Sequence, residues 1–194
     1  MKGVYIFLAD GFEDIEALAP LDILLRGGVD VRTVSLNEDN FVTSAHNVPI
    51  LAQMNIDEFY QSVDESKTSG SDMMIFPGGM PGAKNLASEK ALMSIMARHY
   101  VSGGSIAAIC ASPAVVLAGK MPSGTLRGLE MTCYDGFEDA LENAGAVYVR
   151  KGVAESKRII TGRGPGLAIA FGLKILEYLK GSEVSAKVAA GMML

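Results

Sequence analysis

The segment Ala107-Ala108-Ile109-Cys110-Ala111-Ser112-Pro113 joins a strand end, a cysteine and a helix start within seven residues. Ser105 to Ile109 is an uncharged run of the length of a buried strand, and Pro113 suits the first position of a helix, where its missing N–H loses nothing. Cys110 therefore falls at the end of the strand, flanked by small side chains that permit a tight turn. This pattern predicts a strand–nucleophile–helix elbow. Free N–H groups and the positive end of the helix would favour thiolate over thiol and lower the Cys110 pKa. The competing reading is a buried cysteine acting as a small apolar residue.

Segments on either side repeat the same alternation. Lys2 to Leu8 reads as an apolar strand bounded by Asp10 and Gly11. Asp14 to Arg26 reads as a helix, with Ile15, Leu18, Leu21 and Leu25 at helical spacing and Gly27-Gly28 at its end. Pro20 is expected to bend or break that helix. Val29 to Leu36 reads as a strand and Phe41 to Ala52 as a small hairpin or edge strands. Further strands are expected at Asp72 to Phe76, Glu130 to Cys133, Val147 to Val149 and Arg158 to Thr161. Helices are expected at Ala87 to Tyr100, Pro113 to Ala118, Phe137 to Asn143 and Leu167 to Leu179. Strands alternating with helices predict one α/β domain over residues 1–194, with a mostly parallel central sheet covered by helices on both faces. Chemistry in such sheets gathers at the carboxyl ends of the strands. Ala9-Asp10-Gly11-Phe12-Glu13-Asp14-Ile15-Glu16 and Phe76-Pro77-Gly78-Gly79-Met80-Pro81-Gly82-Ala83 therefore join the Cys110 segment as the places to search.

Composition narrows the partners. Seventeen Lys and Arg against 22 Asp and Glu give a net charge of −5, which disfavours nucleic acid and anionic membranes as partners. The apolar start Val4 to Ala9 is too short for a signal-peptide core, and Gly103, Gly104 and Pro113 interrupt the uncharged run Tyr100 to Gly119, so neither export nor a membrane span is expected. A cytoplasmic location follows as the expectation. Cys110 and Cys133 are the two cysteines, too few for a disulfide framework.

Other candidate chemistry is sparse. His46 sits in the hairpin segment and can approach a strand end. His99, near a helix C-terminus where a cation is favoured, reads as a surface residue. Glu16 lies within reach of a neighbouring strand end and offers an acid partner for Cys110, although an acidic residue near a helix N-terminus is also favoured for purely local reasons, as are Glu13 and Asp14. Gly162-Arg163-Gly164-Pro165-Gly166 is glycine-rich without a dinucleotide fingerprint, and Gly78 to Lys84 is not a P-loop. Neither the cysteines nor the histidines have zinc-ligand spacing, so no metal or nucleotide cofactor is expected.

Taken together, these segments resemble the ThiJ/PfpI superfamily, in particular its branch containing the Parkinson-disease-associated protein deglycase. The resemblance rests on Asp10 to Glu16, Pro77-Gly78-Gly79 with Gly82 to Leu86, Ala108 to Pro113 and Thr161 to Gly166, and spans nearly the whole chain. It implies a flavodoxin-like three-layer sandwich and a homodimer paired through the first helix, on which Ala17 and Leu24 are the expected exposed residues. By the same analogy Cys110 is the nucleophile, Glu16 the acid that hydrogen-bonds its sulfur, and the backbone N–H groups of Gly79 and Ala111 the oxyanion donors. Glu13, Gly78, His46, Tyr134 and Arg163 complete the implied pocket. Peptide- and amide-cleaving members place a histidine just after the nucleophile or on the following strand. Here Ala111 and Tyr134 occupy those places, and a phenol is a poor base near neutral pH.

The resemblance implies a cofactor-free enzyme acting on reactive dicarbonyls such as methylglyoxal, or on glycated protein. The alternative is a redox-sensing stress-response protein or chaperone that uses oxidation of Cys110 without turnover.

Overall fold

The computed structural model describes residues 1–64 and 68–194. The first half runs β1 (Val4–Leu8), α1 (Asp14–Arg26), β2 (Val31–Ser35), β3 (Phe41–Thr43), β4 (Pro49–Leu51), β5 (Met54–Asn55), α2 (Ile56–Ser62), β6 (Met73–Phe76), α3 (Gly82–Ser88) and α4 (Lys90–Val101). The second half runs β7 (Ser105–Ile109), a π-helical turn (Pro113–Ala118), β8 (Glu130–Met131), α5 (Glu138–Asn143), β9 (Val147–Tyr148), β10 (Val153–Ser156), β11 (Ile159–Gly162), a 3-10 turn (Pro165–Leu167), α6 (Ala168–Lys180) and α7 (Ser182–Gly191).

Seven strands form one sheet in the order β10-β11-β7-β6-β1-β2-β5. Every pair in it is parallel except β10 with β11. Alternate residues of β1 feed two separate cores: Tyr5 and Phe7 join Phe59, Phe76 and Met96 on one face, while Ile6 and Leu8 join Leu24, Phe171 and Ile175 on the other. That is the expected layered α/β architecture, with helices on both faces of a mainly parallel sheet. The hairpin is present as the antiparallel pair β3–β4. In contrast, among the described residues β8 and β9 pair only with each other, outside the main sheet.

Several local expectations change. Helix α1 runs unbroken through Pro20. Its Ile23 and Leu24 are fully buried, and burying each is worth ~1.5–3 kcal/mol, enough to offset the ~3 kcal/mol disadvantage of an internal proline. The same burial removes Ala17 and Leu24 from the surface; the exposed apolar residues of α1 are Ile15 and Leu25. The helix expected from Ala87 to Tyr100 is two helices. Glu89 is extended at the junction and its carboxylate caps α4 by accepting from the Ala91 N–H at 3.2 Å.

His99 is not a surface cation. It is 2% exposed, and Nε2 lies 3.1 Å from both the Asp72 and Ser105 carbonyl oxygens, in space left by the missing side chain of Gly104. Burial, reinforced by the N-terminal ammonium, pushes its pKa down to about 4. A helix C-terminus offers a cation only ~0.3–1 kcal/mol at the surface, so burial wins. The unfolded chain, with histidine near 6.5, binds one proton more than the native protein between about pH 6.5 and 4. The His99 contribution to stability should therefore be complete above pH 6.5 and fall by up to ~1.4 kcal/mol per pH unit as pH drops towards 4. Urea unfolding at a series of pH values should show a shallower acid loss in His99→Gln than in the parent; identical slopes would refute this.

Candidate active site

Neighbouring parallel strands β7, β6 and β1 bring their carboxyl ends side by side. Three segments far apart in the chain, at Cys110, at Pro77-Gly78-Gly79 and at Ala9 to Glu16, therefore meet at one edge of the sheet.

Cys110 directly follows β7 and has φ 65°, a left-handed conformation rare for a residue with a side chain. This is the expected elbow. Its N–H donates to the Gly162 carbonyl and its carbonyl accepts from the Tyr134 N–H, both at 2.9 Å. The Ser112 hydroxyl donates to the Pro77 carbonyl at 2.5 Å. The strained turn is thus held from three directions by groups that have few other options in the core.

Glu16, on the first turns of α1, has no exposed surface. Its Oε2 accepts from the Gly78 N–H at 2.9 Å. Oε1 is buried without a well-formed hydrogen bond, and the Cys110 thiol is the side chain placed to share a proton with the carboxyl. Glu13 caps α1 by accepting from the Glu16 N–H at 2.8 Å, and its own N–H donates to the Gly78 carbonyl at 3.1 Å. Glycine at 78 is required by space: an added Cβ would lie 2.5 Å from Glu16 Oε2 and 2.7 Å from the Cys110 Cβ. Gly79 has φ 88°, which turns the chain so that its N–H, with that of Ala111, is directed at the Cys110 sulfur.

Burial pushes Glu16 up to about 7, and the nearby Glu13 charge adds to the effect. Cys110 is pushed up to about 12, first by burial, then by the charge and hydrogen bonding of Glu16; the Gly79 and Ala111 N–H groups oppose this. The thiol lowered by a helix N-terminus is therefore not what the pocket provides at rest. Helix ends contribute ~0.3–1 kcal/mol, whereas a rise of about three units corresponds to ~4 kcal/mol, and the helix here is a single six-residue π-turn. Cys110 and Glu16 cannot both be charged cheaply, so one proton stays within the pair.

The remaining expected residues line two flanks. Tyr134 and Arg163, with Asp135 and Gly164 to Leu167, line a cavity of about 270 Å³; Cys110 does not line it, but the Tyr134 N–H donates to the Cys110 carbonyl. Arg163 is held in a two-pronged pair by Asp135 at 2.7 and 2.6 Å. Nothing in the spacing of Asp135 links it to Arg163 across 28 residues, so the sequence alone gives no signal for this pair. On the other flank, exposed His46 approaches Asp14 Oδ2 at 2.5 Å through Nδ1 rather than Cys110. That bond raises the His46 pKa; for Asp14 burial pulls the other way, but the bonds to His46 and Ser44 hold it below its usual value. Cys133 is fully buried and raised to about 12, chiefly by burial.

DJ-1beta of Drosophila melanogaster is 34% identical over 194 residues, covering 100% of this chain and 97% of the relative. Glutathione-independent glyoxalase DJR-1.2 of Caenorhabditis elegans is 33% identical over 173 residues, covering 88% and 84%. The chain spans less than half, 47% and 42%, of the lengths of DJ-1 homologs A and B of Arabidopsis thaliana, at 33% and 32% identity. The solved structure of oxidized Toxoplasma gondii DJ-1 superposes with a TM-score of 0.87 at 32% identity, covering 100% of this chain and 98% of that one. The DJ-1/PfpI family profile matches residues 2–178, and the chain belongs to the DJ-1/PfpI family.

Proposed function

We propose that this protein is a cofactor-free enzyme that converts reactive dicarbonyls such as methylglyoxal, or the adducts they leave on protein, to hydroxy acids. The observation that carries this reading is a cysteine in a left-handed turn against a fully buried carboxyl that has one oxygen unsatisfied. A relative named as a glutathione-independent glyoxalase supports the same class of chemistry.

Near neutral pH the pair holds one proton. As the Cys110 sulfur attacks the aldehyde carbon, its proton passes to Glu16, giving a hemithioacetal whose oxygen takes hydrogen bonds from the Gly79 and Ala111 N–H groups. Glu16 then protonates that oxygen, moves the hydrogen of the attacked carbon to the adjacent carbonyl carbon, and carries the hydroxyl proton from the first oxygen to the neighbouring one, leaving a hydroxyacyl thioester. Water cleaves the thioester, so methylglyoxal plus water gives lactate and the free thiol with no external oxidant. Tyr134 takes no proton in this sequence. The exposed apolar residues Ile15, Leu25, Phe41 and Leu51 suit pairing with a second copy of the chain. The cytoplasm is the proposed location; among the described residues no helix is long and apolar enough to cross a membrane.

A second reading, oxidation of Cys110 as a stress signal, is favoured by the relative whose solved structure is of an oxidized form and by two N–H groups able to hold sulfinate oxygens. Peroxide-dependent mass gain at Cys110 in a protein that releases no lactate would select it over turnover.

Lactate release from methylglyoxal by metal-free protein is the direct test, and Cys110→Ser should abolish it. Glu16→Gln keeps a hydrogen-bond donor but cannot relay a proton, so turnover should fall by about 10²–10⁴-fold. Activity of the parent should rise with pH as the pair loses its first proton, on a limb near 7. Normal turnover by either variant refutes the mechanism. Tyr134→Phe should keep most of the activity, and its complete loss with intact folding would give Tyr134 a role denied here.

The same burial predicts a stability effect. Because Glu16 is raised from 4.5 to about 7 in the folded state, its ionisation destabilises the fold fully above about pH 7 and not at all below 4.5. Glu16→Gln should therefore be more stable than the parent by about 1–3 kcal/mol at pH 8, with the advantage shrinking towards pH 4.5. Thermal melts that show no advantage at pH 8 would contradict the buried charge.

A further inference from the structure

Beside the Cys110–Glu16 pair, the fold gathers a second set of chemically capable side chains. Glu13, Asp14 and His46 each offer one ligand atom, and these three atoms lie within 4.8 Å of one another. They come from two segments: the entry to α1 and the loop of the β3–β4 hairpin. The main chain fixes one on the other. Gly11 N–H donates to the Thr43 carbonyl and Ala45 N–H to the Phe12 carbonyl, each at 2.8 Å, and Phe12 and Ser44 form a β-bridge. Glu13 and His46 are the next residues after Phe12 and Ala45, so backbone pairing sets their approach. Glu13 is further oriented by its bond to the Glu16 N–H.

The donor set has a definite chemistry. One imidazole nitrogen with two carboxylate oxygens suits zinc-class divalent ions, whereas magnesium and calcium favour oxygen-only surroundings. A single imidazolium offsets one of the two carboxylate charges, while Glu13 also caps the helix N-terminus; a divalent ion matches both carboxylates. The His46 side chain is 67% exposed, leaving room for water in the remaining coordination positions. No thiol belongs to the set.

We propose that Glu13, Asp14 and His46 bind a divalent transition-metal ion of the zinc class, clipping the hairpin to the start of α1 at the rim of the candidate active site. The proposal is independent of dicarbonyl turnover and is read without it.

Cobalt(II) titration of the full chain, followed by visible absorption and calorimetry, is the test. One Co²⁺ per chain is expected, without the thiolate-to-cobalt charge-transfer band that cysteine ligation would give. Losing a ligand should weaken binding by more than the ~10–100-fold typical of changes to outer-shell partners, so His46→Gln and Asp14→Asn should each lose at least that much. Cys110→Ser should bind like the parent. Saturating Zn²⁺ should raise the melting temperature of the parent but not of His46→Gln, which also verifies that the variant is folded. Unchanged affinity in His46→Gln, a charge-transfer band, loss of binding in Cys110→Ser, or no binding tighter than millimolar each overturns the site.

Discussion

The hydrogen bond from the Gly78 N–H to Glu16 Oε2 is the constraint on which the candidate site depends. It ties the first helix to the turn after β6 and fixes a carboxyl with no exposed surface against the elbow cysteine. Glycine at 78 is the condition for this approach, because even one carbon there would collide with both Glu16 and Cys110. The arrangement costs stability, since burial raises Glu16 to about 7 and leaves Oε1 unsatisfied. Such incompletely relieved burial is uncommon in a core unless the group has chemical work to do, which is the physical basis for reading the pair as reactive.

Rigidity around this pair comes from the sheet. Strands β7, β6 and β1 are consecutive neighbours, so three loops converge without any long connection crossing the site. The left-handed Cys110 backbone is held by Gly162 on β11 and by the Tyr134 N–H, while Ser112 grips Pro77 across the gap between β6 and β7. The strain is sustained by strands buried on both faces, whose apolar side chains fill two independent cores.

The two flanks of the pair differ in character. On one, Arg163 and Asp135 form a clamped wall beside an open cavity that Tyr134 borders. On the other, the hairpin carries His46 to the carboxylates of α1. Among the described residues neither flank places a base against Cys110. In the proposed mechanism, proton transfer at the thiol falls to Glu16, which burial raises to about 7, near the pH at which a relay works.

The alternation of apolar runs with helical periodicity was enough to specify a layered parallel sheet, and Ala107 to Pro113 was enough to place Cys110 at a strand-to-helix turn. Both are local signals, dictated by burial of backbone and by turn sterics. Glu16 was legible as an acid near a strand end, but its exclusion from water was not, because desolvation depends on what packs over it. For the same reason the sequence misplaced His99, exposed Ala17 and Leu24 that the core encloses, and lowered a thiol that burial raises. Pro20 by itself predicts a bend or break, yet packing of α1 against α6 carries the helix through it. Pairings across distance, Arg163 with Asp135 and His46 with Asp14, left no spacing signature. They exist because strand order and a hairpin bring remote segments into contact, and only the tertiary structure decides that.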